Sequence, residues 1–107
     1  MRTITAPELA RWLGESVDNP PVLLDVREPW EVELASLPGS LAIPMGRIAA
    51  EIGSIDPDRS TVCLCHHGAR SMQVAMFLER QGFSDVVNLT GGIHAWSELV
   101  DPAVKTY

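Results

Sequence analysis

Apolar residues in this chain fall in short blocks separated by polar, turn-forming segments. Val22-Leu23-Leu24-Asp25-Val26, Thr61-Val62-Cys63-Leu64-Cys65 and Asp85-Val86-Val87-Asn88-Leu89 are nearly continuous apolar runs. Runs of this length predict strands covered on both faces. Leu41-Ala42-Ile43 is a weaker run of the same kind, stopped by Pro44. Helical stretches lie between them. Thr5-Ala6-Pro7-Glu8 has the spacing of a capping box with proline in the first turn, so it opens a helix to about Leu13, with Gly14 as its stop. Pro29 to about Leu34 and Arg47 to Ile52 read as short helices, with turns at Pro38-Gly39 and Asp56-Pro57-Asp58. The strongest helix starts at Ala69 or Arg70 and runs to Gln81, before Gly82, and Gly91-Gly92 leads into a last helix carrying Trp96. Trp12, Trp30 and Trp96 are expected to pack in or against the core.

Alternation of strand and helix predicts an α/β protein, a largely parallel sheet with helices on both faces. Ligands in such folds sit beyond the carboxyl ends of the strands. That places Asp25 to Glu28, Cys65 to Arg70 and Thr90 to Gly92 on one rim.

The length of 107 residues suits one domain, with a core at about 3–99 and a short C-terminal tail at 100–107. No apolar run approaches the roughly 20 residues of a bilayer span. No basic-then-apolar leader follows Met1, since Thr3, Thr5, Pro7 and Glu8 interrupt it, so a cytoplasmic location is expected. Eight Lys and Arg against fourteen Asp and Glu give a net charge of −6. That sign argues against nucleic acid as a partner. The distribution of charge adds a further point. No acid occurs from Thr61 to Leu78, and Arg70, His66 and His67 fall inside that window, so an anion is the expected guest there.

Cys65-His66-His67-Gly68-Ala69-Arg70-Ser71 spans the turn between the second strong strand and the strongest helix. A cysteine at that position points its sulfur at the amide groups of a helix N-terminus, which lower a thiol's pKa. Gly68 permits positive φ, so the loop amides converge on one point. Arg70 brings a planar, permanently charged fork. The pattern suits a nucleophilic sulfur with an anion bound beside it. Cys63, inside the strand, reads as a small hydrophobe. A Cys63–Cys65 disulfide is disfavoured because neighbouring same-face positions of a strand lie roughly 6–7 Å apart. Cys63, Cys65, His66 and His67 match structural zinc spacing poorly, having no distant second pair, so no metal is expected. His66 and His67 read as pocket wall. Asp25 and Arg27 fit a structural ion pair at a strand end as well as a catalytic role.

With these residues in view, the chain resembles the rhodanese family, the single-domain sulfurtransferases. The resemblance is carried by Leu24-Asp25-Val26-Arg27-Glu28 with Pro29-Trp30-Glu31, by Pro38-Gly39-Ser40-Leu41-Ala42-Ile43-Pro44, by Cys65-x-x-Gly68-x-Arg70-Ser71, and by Thr90-Gly91-Gly92-Ile93-x-Ala95-Trp96. It implies a three-layer α/β/α fold with a five-stranded, mostly parallel sheet flanked by helices. It also implies that Cys65 takes up a sulfane sulfur as a persulfide. The donor would be thiosulfate or another persulfide. The acceptor would be thiophilic: cyanide in the test tube, or a cellular thiol or carrier protein. The loop His66, His67, Gly68, Ala69, Arg70 and Ser71 would bind the substrate, with Arg70 on a thiosulfate-like donor and Asp25 and Arg27 bracing the rim. No metal or organic cofactor is implied. One departure is that Ala35-Ser36-Leu37 precede Pro38 where many members carry Gly-His. A protein-to-protein sulfur relay or interaction module is the alternative from another class. Related phosphatases use a Cys-x5-Arg loop. Here four residues separate Cys65 from Arg70, a ring sized for one sulfur atom, so a phosphatase or arsenate reductase fits less well.

Overall fold

A computed structural model describes all residues, 1–107. In chain order the elements are β1 (Arg2–Ile4), α1 (Ala6–Glu15), β2 (Val22–Asp25), α2 (Pro29–Leu34), β3 (Leu41–Ala42), α3 (Ile48–Glu51), β4 (Thr61–Leu64), α4 (Ala69–Arg80), β5 (Val86–Leu89) and α5 (Gly92–Leu99). The strands form one sheet in the order β1-β5-β4-β2-β3. Every pairing is parallel.

The two-residue period of the strands divides the core between the two faces of the sheet. Leu24, Cys63, Cys65 and Val86 share one face with Ile48 of α3 and Val74, Ala75 and Leu78 of α4. Leu23, Val62, Leu64, Val87 and Leu89 face the other way, onto Ala6 and Leu9 of α1 and Ile93 and Trp96 of α5. Burial on both faces explains why the three central strands read as continuous apolar runs.

Helix α1 begins as the capping box requires: the Thr5 hydroxyl accepts from the Glu8 amide at 3.3 Å, and the Glu8 carboxylate accepts from the Thr5 amide at 2.9 Å. It continues past Gly14 to Glu15 and closes at Ser16. Gly14 keeps a negative φ and so does not act as the stop. The stretch expected to be one helix from Arg47 to Ile52 is three pieces: a 3₁₀ turn at Met45–Arg47, α3, and a second 3₁₀ turn at Ile52–Ser54.

Strand β1 had no counterpart in the apolar pattern. It is an edge strand of three residues with only Ile4 buried, too short to show an alternation. Trp12 packs against the α1/α5 cluster and Trp96 lies within it, but Trp30 is 61 % exposed. Trp30 falls on the outer side of α2 because the inner side of that short helix is taken by Glu31. The tail beyond α5 folds back onto the domain. The Ser97 hydroxyl donates to the Val104 carbonyl, and Val104 and Tyr107 pack on the α1/α5 cluster.

Candidate active site

Cys65 directly follows β4, on the same face as Cys63 two residues earlier, and is 1 % exposed. The chain reverses at Gly68, whose φ is +111°, and α4 starts at the next residue. A side chain at Gly68 would be strained at that φ. This conformation aims the Gly68 amide at the Cys65 sulfur, 3.1 Å away, and the Ser71 hydroxyl lies 3.4 Å from the same atom.

Burial pushes the Cys65 thiol up, but hydrogen bonds from the Ser71 hydroxyl and from the amides of Ser71, Gly68 and Arg70 outweigh it and hold the pKa below the ordinary thiol value. Cys63 shares the face without those donors, and burial pushes it up to about 12. Both cysteines are free thiols. Two adjacent positions on one strand face therefore carry opposite chemistry, and the N-terminus of α4 makes the difference.

Ser71 is held from below by β5. Its hydroxyl lies 2.5 Å from Asn88 Oδ1, and Asn88 Nδ2 donates to the Gly68 carbonyl at 3.2 Å. Asn88 is two residues beyond Val86 and so faces α4. In the sequence it stands inside an apolar strand with nothing local to mark that role. From the other side the loop is held by α5: the amides of Ile93 and His94 donate to the carbonyls of Cys65 and His66 at 2.9 and 3.1 Å. Gly92 is required for that approach, because a Cβ there would lie 2.4 Å from the Cys65 carbonyl oxygen.

Arg70 reaches the rim, but Glu31 of α2 engages its fork. The two guanidinium nitrogens sit 2.6 and 2.8 Å from the two carboxylate oxygens. Hydrogen bonding to Arg70 holds the Glu31 carboxyl down at about 2, against the opposing effect of burial and with help from the Glu28 amide and the Tyr107 hydroxyl. The bidentate pair raises the Arg70 pKa in turn.

Asp25 and Arg27 form a fully buried pair, with Nε 2.9 Å from Oδ1 and Nη2 2.6 Å from Oδ2. The remaining Arg27 donors go to the Glu31 carbonyl, the Tyr107 hydroxyl and the Ala35 carbonyl. All five N–H groups of the fork thus have partners. The Tyr107 hydroxyl donates on to Glu31 Oε1 at 2.9 Å, linking Asp25, Arg27, Tyr107, Glu31 and Arg70 in one network. Glu31 closes the Pro29-Trp30-Glu31 motif, but its partner stands 39 residues away, and Tyr107 belongs to what reads as a short tail. His66 stacks on the Tyr107 ring at 3.9 Å and 8°, while His67 and Ala69 are exposed. His94, from α5, brings a third imidazole beside them.

Residues 5–99 match the family profile described as Rhodanese-like domain. The chain belongs to the rhodanese-like family. The thiosulfate sulfurtransferase GlpE of Pseudomonas paraeruginosa is 37% identical to this rhodanese-like chain over 101 residues, 94% of the chain and 89% of the relative. A chloroplastic Rhodanese-like/PpiC domain-containing protein 12 of Arabidopsis thaliana is 52% identical over 89 residues, 79% of the chain. The chain spans 30% of the length of that plant protein. Among solved structures, a Rhodanese-like domain protein from Staphylococcus aureus superposes with a TM-score of 0.86 at 34% identity, covering 100% of this chain and 99% of the other. The rhodanese-like architecture thus accounts for the five parallel strands and their flanking helices.

Proposed function

We propose that this rhodanese-like chain is a sulfurtransferase that carries sulfane sulfur as a persulfide on Cys65. The observation that carries the reading is the Cys65 sulfur accepting from the Gly68 amide at the head of α4, with the Ser71 hydroxyl 3.4 Å away. These donors favour the thiolate and suit the negative charge on a sulfur attached to it. In the first step the thiolate attacks the outer sulfur of thiosulfate. A Cys65–sulfur bond forms, the donor's sulfur–sulfur bond breaks, and sulfite leaves with that electron pair. In the second step a nucleophilic acceptor, cyanide in the test tube or a cellular thiol, attacks the terminal sulfur of the persulfide. The Cys65 thiolate leaves with its electron pair and is regenerated.

Intact-mass measurement after thiosulfate treatment tests the reading. The expected result is one added sulfur on the wild type, lost on cyanide treatment and absent in Cys65→Ala. An unmodified wild type, or a Cys65→Ser variant with normal turnover, would overturn it.

One observation favours a second reading, a relay between proteins. Arg70 is paired with Glu31 rather than free for a small dianion. In a relay the donor is a protein persulfide and free thiosulfate a poor substrate. Thiosulfate turnover much slower than transfer from a protein persulfide would support the relay, and the reverse order would support the first reading.

A further inference from the structure

His66, His67 and His94 each place a ring nitrogen so that the three ligating atoms lie within 4.8 Å of one another. Cys65 is not a member of this cluster. Two of the rings are successive residues of the loop. The third is delivered by α5, whose first amides grip the carbonyls of that same loop.

The state of the ring nitrogens is informative. His66 Nε2 and His94 Nδ1 are buried and have no hydrogen-bond partner. On the His94 ring the other side meets an oxygen, with Nε2 2.6 Å from Glu98 Oε1. An oxygen acceptor on one nitrogen keeps the proton there and leaves a lone pair on the other. Metal-bound histidines have this arrangement, with the outer N–H given to a carboxylate or carbonyl. A buried nitrogen left without a partner carries a desolvation cost, and the fold supplies nothing that offsets it at these two atoms. His67, exposed beside them, has its ring 3.9 Å from that of His66 and 5.0 Å from that of His94.

We propose that His66 Nε2, His94 Nδ1 and a nitrogen of His67 bind one divalent cation of the zinc class, with a fourth coordination position left for water or a solute. The donor set selects the ion. Three imidazoles with no carboxylate among them suit borderline first-row ions and not calcium or magnesium, which take oxygen ligands. The poor zinc match of Cys63, Cys65, His66 and His67 came from the lack of a distant ligand. His94 supplies one, and both thiols fall outside the set.

The test is titration of the full chain with Zn²⁺ by calorimetry, and with Co²⁺ followed by visible absorption. One ion per chain is expected, with Co²⁺ showing low-coordinate ligand-field bands and no thiolate charge-transfer band. His67→Gln and His94→Gln should each weaken binding about tenfold or more, and Glu98→Gln about tenfold through the outer hydrogen bond. Because His67 is exposed, its variant retains the fold and keeps the test decisive. Cys65→Ser should bind as the wild type does. Absence of saturable binding, affinity unchanged in both His67→Gln and His94→Gln, or loss of binding in Cys65→Ser would each overturn the proposal. Ion binding is read without turnover, so its failure and a failure of the sulfur-transfer reading remain distinguishable.

Discussion

At the scale of single residues, Cys63 and Cys65 show how little of a thiol's reactivity belongs to the thiol. Both are buried on the same face of the sheet. Only Cys65 meets the amides at the head of α4 and the Ser71 hydroxyl, so only its pKa is lowered. Iodoacetamide should therefore alkylate Cys65 with a pH midpoint below the ordinary thiol value and leave Cys63 untouched until the chain unfolds. Ser71→Ala removes the hydroxyl beside the sulfur and should raise that midpoint. Peptide mapping of the alkylated protein against pH checks both outcomes. Equal labelling of the two cysteines would contradict the assignment. That Cys65 meets the amides of a helix start was legible from its position between an apolar run and a helix. Asn88, which steadies Ser71, was not, because an asparagine inside an apolar strand has no local mark of the helix it will face.

At the scale of elements, the loop is positioned by two helix N-termini with different tasks. Helix α4 points its amides at the sulfur, and α5 points its own at the loop's carbonyls. The second contact needs Gly92, where a methyl group would collide with both the Cys65 and His66 carbonyl oxygens. The Gly92 φ of +60° adds strain for any other residue. Gly92→Ala should cost about 3 kcal/mol or more in urea unfolding and should remove the lowered Cys65 midpoint as the loop shifts. A stable variant with an unchanged midpoint would show that α5 does not set the loop. Helix starts were readable where the signal is local, as at Thr5 with Glu8, and Gly68 sits at the start of α4 where its φ is needed. The end of α1 was not readable. Gly14 has the sequence mark of a stop, yet the backbone there keeps helical φ.

At the scale of the whole molecule, one polar network ties α2, the rim and the tail together through Asp25, Arg27, Tyr107, Glu31 and Arg70. Arg27 is fully buried, so Asp25→Ala leaves an uncompensated charge inside the domain. That variant should lose about 3–5 kcal/mol in denaturant unfolding. An equally stable Asp25→Ala would mean that the pair is not the brace described. Glu31 sets an acid limit. Its carboxyl titrates at about 2 in the fold against an ordinary value of 4.5, so between these values the unfolded chain binds more protons. The stabilisation is complete above the ordinary value and is lost as pH falls toward about 2. With solvent screening at the partly exposed Arg70, the loss should be on the order of 2 kcal/mol. Glu31→Gln should remove this component of the acid sensitivity, which denaturation at about pH 6 and about pH 3 would reveal.

What the chain determines by itself is whatever is encoded by neighbours in sequence. Apolar runs marked the central strands, the Thr5 capping box marked the start of α1, and the strand–Cys65–Gly68–helix order marked the thiol that meets the helix amides, because each depends on interactions within a few residues. Tertiary structure decided the rest. It added β1 as an edge, turned Trp30 outward, and brought the tail onto the rim. It also placed Glu31 on Arg70, Asn88 on Ser71 and His94 beside His66. Each of those contacts joins side chains that are distant along the chain, and their geometry exists only once the parallel sheet has set the spacing between its helices.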